Sequence, residues 1–346
     1  MNEIIKENIT PENEAIQIPA SNIKKHFSKL GLILFLGTLL VYGVQLASLA
    51  LTEKVPFISE NTSLSFATTM LPMYIIAFPI IFWMLKKVPA QTNYEQKKMK
   101  PLHVFVAFLM TYAATYVCNI IGNVIATIIG IIKQSPVENV ILEVTNSINP
   151  VVNILIIAIC APIMEEILFR KFLVDRTAQY GEGVAIFFSG LVFGLFHGNL
   201  IQFSYAFVLG MFFAFIYVKT RKIIYTIILH IIQNFMGSFV GLLVMEKSGF
   251  MKFAEALENI TDEAAMMQLV MDNIAGIGIF VIYLVFILCI VFAGIILYLV
   301  NMKKFKLSAG EVVIEKGQRF KTILLNVGMI LYCLFWIVQI ILQLFQ

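Results

Sequence analysis

Long apolar runs, separated by short polar segments, form the main pattern of the chain. Most of these runs reach about 20 residues, the length that an α-helix needs to cross the hydrocarbon core of a bilayer. The runs predict spans near residues 31–51, 64–85, 102–132, 151–176, 184–197, 200–218, 223–245, 274–300 and 323–344. The fifth run is short, and Gly198 and Asn199 separate it from the sixth. The pattern therefore predicts an all-α, polytopic transmembrane bundle of about 8–9 spans.

The same pattern divides the chain into four segments. We expect a flexible cytoplasmic tail at residues 1–29 and peripheral transmembrane helices at residues 30–149. Residues 150–245 form a core segment with ionisable residues inside its apolar runs. Residues 246–346 contain an outer-side loop and C-terminal transmembrane helices. The apolar positions within the loop at residues 246–272 predict a short amphipathic helix that lies on the membrane.

Composition and charge agree with a membrane protein and predict its orientation. Hydrophobic residues make up 60% of the chain and charged residues 13%, against about 45–50% and 25% in soluble domains. With alternating spans, only Lys54, Lys133, Lys247 and Lys252 fall on the side opposite the N-terminus. Because cytoplasmic loops carry the excess of Lys and Arg, we predict a cytoplasmic N-terminus in a multi-pass protein of the cell membrane. The net charge of +4 is too small to indicate a nucleic-acid partner, and the short loops favour a bacterial source.

A small set of ionisable and amide side chains lies inside the apolar runs. One charge at the middle of a bilayer costs at least roughly 2.5–3.5 kcal/mol, so such residues predict a functional site. The set consists of Glu165, Glu166, Arg170, His197, His230 and Asn234. At 1.5 Å per helical residue, its members other than the Glu166–Arg170 pair lie about 14–22 Å from the inner ends of their helices. We therefore expect residues from three helices to converge at one depth.

Spacing along the first of these helices assigns different tasks to its charged residues. Glu166 and Arg170 are four residues apart and are expected to form a supporting ion pair. Glu165 points about 100° away around the helix and is free to face a cavity. A buried carboxylate near imidazoles can serve as a general base.

Two mechanisms fit this set of side chains. In the first, Glu165 and His197 hold and deprotonate a water molecule, while His230 and an amide at Asn234 donate hydrogen bonds to an oxyanion. In the second, Glu165, His197 and His230 bind Zn²⁺ and leave an open position for water. Asn is a poor zinc ligand and a good oxyanion donor, which favours the first mechanism mildly. The cofactor content, none or one divalent metal, stays open at this point.

Three motifs in this set resemble those of a known family. Residues 165–170 match EExxxR, residues 193–197 match FxxxH, and residues 230–234 match HxxxN. Together, in this order and on successive spans, they are similar to the motifs of the CAAX prenyl protease and bacteriocin-processing (CPBP, or Abi) family of intramembrane proteases. The resemblance covers about residues 150–240, that is, the core segment.

The resemblance implies an all-helical intramembrane endopeptidase with Glu165 as the catalytic carboxylate and the other charged residues of its motif in support. It implies that His197 helps to activate water and that His230 and Asn234 stabilise the oxyanion. Family members have been regarded both as metalloproteases and as metal-free, glutamate-dependent proteases. The implied partners are membrane lipid and a peptide or protein substrate. Eukaryotic relatives cleave after a lipidated cysteine near the C-terminus, and bacterial relatives are associated with peptide maturation.

Two other functions compete with the peptidase. One is a non-catalytic membrane scaffold or a bacteriocin-immunity protein of the same fold. The other is a proton-coupled transporter in which Glu165 and the histidines relay protons. The sequence lacks the paired, Gly/Pro-interrupted spans of repeat-built transporters. We therefore favour the peptidase.

Overall fold

The computed structural model describes residues 18–91, 94–258 and 260–345. The long helices are α1 (Ala20–Thr52), α2 (Thr62–Lys86), α3 (Pro101–Lys133), α4 (Pro150–Tyr180), α5 (Glu182–Phe196), α6 (Leu200–Thr220), α7 (Ile223–Lys247), α8 (Ile274–Lys304) and α9 (Val327–Leu344). Within the described residues, eight of these helices are long and apolar enough to cross a membrane, and α5 is shorter, with 15 residues. No strand occurs there. The predicted all-α polytopic class is confirmed, and the chain is a multi-pass integral membrane protein.

The start of the first helix differs from the prediction. Helix α1 begins at Ala20, so the end of the expected tail is helical. The reason is that Ile23, Phe27 and Leu30 recur at helical spacing and are all buried against the bundle. The remainder of the expected tail, residues 1–17, lies outside the described residues.

The loop at residues 246–272 also differs from the prediction, because it contains two short helices. These are Phe250–Glu258 and Glu263–Asp272. The side chain of Asp262 accepts a hydrogen bond of 2.8 Å from the backbone N–H of Ala265 and so caps the second helix. In the part of the chain that the structure describes, three further short α-helices lie outside the long ones: Pro56–Ser59, Val140–Ser147 and Arg319–Ile323.

The end of the bundle with most of the Lys and Arg residues, called the basic end below, is covered by connecting segments. Just after α2, the backbone N–H of Gln91 donates a 2.7 Å hydrogen bond to the backbone carbonyl of Asp175 in α4. After α8, Val312 donates its backbone N–H to the backbone carbonyl of Gln179, in the last turn of α4. The side chains of Val312 and Ile314 are buried in the main core. These contacts fix the basic end of α4.

Several of the described helices contain π-helical stretches. They are Met73–Ala77 in α2, Asn153–Cys160 and Ile167–Val174 in α4, and Met236–Val240 in α7. The α-helical segment Ala161–Glu166 lies between the two stretches of α4. π-Helical turns are rare and occur frequently at functional sites, because they shift the side chains and the carbonyl groups that follow. Their position in α4 and α7 points to the same region as the sequence motifs.

Helices α5 and α6 pack with their backbones close together. A Cβ atom added at Gly194 would lie 2.9 Å from Cβ of Phe207. One added at Gly210 would lie 2.8 Å from the ring of Phe193. Glycine permits this close approach between membrane helices. The approach fixes the position of α5, and His197 directly follows its last residue.

Candidate active site

A buried ion pair lies at the centre of the site. Nε of Arg170 is 3.1 Å from Oε2 of Glu166, and both side chains are fully buried. The two residues are one helical turn apart on α4, so the pair expected from their spacing is present. The faces of Phe193 and Phe213 flank the guanidinium, with its central carbon 4.5 and 5.6 Å from the two ring centres. Cation–π contacts of this kind help to stabilise a desolvated cation.

His230 joins this pair to the second carboxylate of the motif. Nδ1 of His230 is 2.9 Å from Oε1 of Glu166, so this nitrogen donates a hydrogen bond to the carboxylate. Nε2, on the other side of the ring, is 3.7 Å from Oε2 of Glu165. The imidazole from α7 thus lies between two adjacent carboxylates from α4. The side chain of Glu165 keeps 13% of its surface accessible, whereas Glu166 has none.

His197 approaches the same region from the end of α5. Its Nδ1 donates a 2.8 Å hydrogen bond to the backbone carbonyl of Phe193. In the neutral imidazole this bond leaves Nε2 of His197 with a lone pair that can accept a hydrogen bond. The ring of Phe193 contacts both histidines, with centroid distances of 4.9 Å to His197 and 5.7 Å to His230. The two imidazoles therefore pack against one aromatic side chain.

Asn234 lies one turn beyond His230 on α7, and part of its amide is already engaged. Its Nδ2 donates a 3.0 Å hydrogen bond to the backbone carbonyl of Ile157, in a π-helical stretch of α4. An amide nitrogen carries two N–H groups, so one remains for another acceptor. Nothing in the motifs indicated the bond to Ile157.

Several further residues of the site could not be singled out from the motifs. Phe213 packs against both Arg170 and His230, and in an apolar span it resembles any other core residue. Tyr74 in α2 and Tyr205 in α6 lie within electrostatic range of the Glu165 carboxylate. The surroundings of Glu165 therefore extend to α2, outside the core segment at residues 150–245.

The fit of a metal ion can be judged from the side chains. Among the described residues, no three His, Cys, Asp or Glu side chains are grouped so that they could hold a metal ion. This arrangement does not support the alternative in which Glu165, His197 and His230 bind zinc. The chemistry below is accordingly derived from the protein groups alone.

Comparisons with known proteins point to the same segment. Residues 147–236 match the family described as type II CAAX prenyl endopeptidase Rce1-like. The chain is also 30% identical, over 178 residues, to the Bacillus subtilis (strain 168) protein named "Putative membrane peptidase YdiL". That match covers 50% of this chain and 70% of the relative. The chain belongs to the CPBP family of intramembrane proteases. No solved structure shows a significant match.

Membership of the CPBP family indicates the broad function, that of an intramembrane protease. The matched segment includes the six site residues that the sequence predicted, from Glu165 to Asn234. The family implies a protein or peptide substrate in a membrane environment.

Proposed function

We propose that this CPBP protein hydrolyses a peptide bond within the membrane by means of a water molecule that Glu165 activates. The observation that carries the proposal is the position of His230 between two carboxylates, 2.9 Å from Glu166 and 3.7 Å from Glu165. A carboxylate and an imidazole this close can share the tasks of moving a proton and stabilising an oxyanion.

The charges of the cluster support this mechanism. Glu165 and Glu166 contribute two negative charges, and Arg170 contributes one positive charge. A protonated His230 makes the total zero, and both of its N–H groups then point toward carboxylates. A neutral, mutually paired cluster is much less costly to bury than an unbalanced one. Glu165 is the partly accessible member of the cluster and is therefore the one that can contact water.

The reaction begins when Glu165 accepts a proton from water and the water oxygen attacks the peptide carbonyl carbon. Negative charge then develops on the carbonyl oxygen. Nε2–H of His230, no longer facing a charged Glu165, and the second N–H of Asn234 donate hydrogen bonds to it. Glu165 passes its proton to the leaving nitrogen as the C–N bond breaks. His197 accepts a hydrogen bond from the attacking water through its free Nε2 and so orients it.

We further propose that the substrate carries a lipid near its C-terminus. The description of the matched family as CAAX prenyl endopeptidase supports this choice. So does the position of the site among membrane helices, because a lipid chain partitions into the bilayer beside it. The alternative is a non-catalytic scaffold of the same fold, which would need no reactive Glu165.

The test is cleavage by purified protein in proteoliposomes. The probe is a fluorogenic peptide with a farnesylated cysteine followed by three residues. Substitution of Glu165→Gln is expected to lower kcat by at least about 100-fold, the usual contribution of a general base. Glu143→Gln, which changes an exposed carboxylate, is the matched control and should cleave the probe at the wild-type rate. Because no step uses a metal, the wild-type rate should persist in EDTA.

Four outcomes of this experiment would contradict parts of the proposal. Full cleavage by Glu165→Gln would remove Glu165 as the base. Equal cleavage of the probe and of its unfarnesylated twin would remove the lipidated substrate class. Loss of activity in EDTA that zinc restores would favour the metal-dependent mechanism. Absence of any wild-type cleavage of the probe would also contradict the proposed substrate.

A further inference from the structure

A polar ladder joins α4 and α7 on the side of the site that faces away from the basic end. Its inner rung is the hydrogen bond from Asn234 to the carbonyl of Ile157. Its outer rung, one turn further along both helices, pairs Asn153 with Ser238. Nδ2 of Asn153 donates to the backbone carbonyl of Ser238 at 2.9 Å, and the hydroxyl of Ser238 lies 2.9 Å from Oδ1 of Asn153. Each residue of the outer rung therefore both donates and accepts.

The two rungs are connected through Ser238. Its hydroxyl also lies 2.8 Å from the backbone carbonyl of Asn234, one turn earlier in α7, so its single O–H is shared between this carbonyl and Oδ1 of Asn153. Ser238 belongs to the π-helical stretch of α7, and Asn153 and Ile157 belong to a π-helical stretch of α4. π-Helical turns disturb the regular hydrogen bonding of the helix backbone. These side chains therefore form hydrogen bonds with backbone carbonyl groups that lipid could not satisfy.

Simple adhesion between two membrane helices is the other explanation of such contacts. Hydrogen bonds of this kind contribute only modestly to the association of membrane helices. Asn153 is only 2% exposed, and its burial requires partners whatever its role. The connection to Asn234 distinguishes the two explanations. The bond to Ile157 fixes the amide plane of Asn234 and so fixes the direction of the second N–H, which in the proposed function meets the oxyanion.

We propose that Asn153 and Ser238 are positioning residues that hold Asn234 for catalysis. They keep α4 and α7 in register, so that the inner rung forms and the free N–H of Asn234 points at the reacting carbonyl. A displacement of about 1 Å in such a group can cost about 100-fold in rate. This proposal rests on the proposed function, because it needs Asn234 to act on the oxyanion.

The experiment compares Asn153→Leu and Ser238→Ala with the wild type, using the farnesylated fluorogenic peptide in proteoliposomes. Both variants are expected to lower kcat about 10–100-fold, because the oxyanion donor is displaced. KM should stay within about 3-fold, because neither residue is proposed to contact the bound ground state. Ser238→Thr keeps the hydroxyl and should restore most of kcat. Gln233→Leu is the matched control, because it breaks the 2.9 Å bond from Gln233 to Thr111, which also joins α7 to a neighbouring helix.

A double-mutant cycle separates positioning from general stability. In the Asn234→Ala background, Asn153→Leu is expected to change kcat by less than about 2-fold, because the group it positions is already absent. Losses that multiply in the double variant would overturn the proposal. So would a kcat within about 2-fold of wild type for both single variants. Equal kcat losses in Gln233→Leu, with matching falls in the thermal unfolding midpoint, would assign the ladder to stability alone.

The outcome is distinguishable from a failure of the proposed function. If Glu165→Gln cleaves the probe normally, the proposed function fails. If kcat falls in Glu165→Gln and in Asn234→Ala while Asn153→Leu is fully active, only the positioning role fails.

Discussion

At the scale of single residues, the burial of the Arg170 guanidinium requires an explanation, because its side chain is fully buried. Its guanidinium faces Glu166 at 3.1 Å and two aromatic rings, and no other carboxylate pairs with it in the described chain. An unpaired charge at this depth would cost several kcal/mol. The pair is therefore best regarded as a unit that presents Glu166 to His230 in its charged form.

This view predicts that a single variant of the pair is less stable than the double variant. Arg170→Leu leaves the Glu166 charge buried without its cation and is expected to destabilise the fold by about 3–5 kcal/mol. The double variant Glu166→Gln with Arg170→Leu removes both charges, and its thermal unfolding midpoint should recover most of that loss. Neither protein should cleave the probe, because Arg170→Leu no longer holds Glu166 in place beside His230 and the double variant removes the charge of Glu166 altogether. An unfolding midpoint of the double variant equal to that of Arg170→Leu would contradict this account.

The sequence predicts some contacts of the site and not others, for a geometric reason. The pairing of Glu166 with Arg170 follows from their spacing along one helix. The convergence of Glu165 and His230 follows from depth, which counting residues supplies. The bond from Asn234 to Ile157 depends on how α4 and α7 are rotated and on their π-helical stretches. Neither quantity can be read from apolar runs, so this bond and the Asn153–Ser238 rung were missed.

At the scale of elements, the contact between α5 and α6 determines where His197 lies. The spans were predicted to within a few residues in most cases, because apolar runs of bilayer length end at charged residues. The closeness of α5 and α6 could not be predicted, since glycines are common in membrane helices whether or not they lie in contacts. In the structure, Gly194 meets Phe207 across that contact.

The glycine contact can be tested with one added methyl group. Gly194→Ala places Cβ 2.9 Å from Cβ and 3.0 Å from Cα of Phe207, so a backbone must move. Overpacking of this kind costs about 1–3 kcal/mol, and the shift of α5 should also lower kcat by displacing His197.

Gly43→Ala in α1 is the matched control, since nothing lies within 4 Å of its added Cβ. Its unfolding midpoint should stay level or rise, because Ala favours helix by up to about 1 kcal/mol. Equal midpoints for the two variants would refute the close contact.

At the scale of the whole molecule, orientation decides which compartment supplies the substrate. The basic end includes the segments after α2, α6 and α8, and the Lys and Arg residues are concentrated there. Because cytoplasmic loops carry this excess, we propose that the basic end and the N-terminus face the cytoplasm. The polar ladder then lies on the outer side of the reacting residues.

Labelling of intact cells tests this orientation. In a variant without the four native cysteines, Lys98→Cys and Glu143→Cys place single thiols at exposed positions near opposite ends of α3. A membrane-impermeant maleimide should label Glu143→Cys in intact cells and Lys98→Cys only after permeabilisation. The reverse pattern would invert the protein and place the basic end outside. Inversion would leave the chemistry at Glu165 unchanged, because that depends only on contacts within the bundle. It would, however, require the substrate to reach the site from the opposite leaflet.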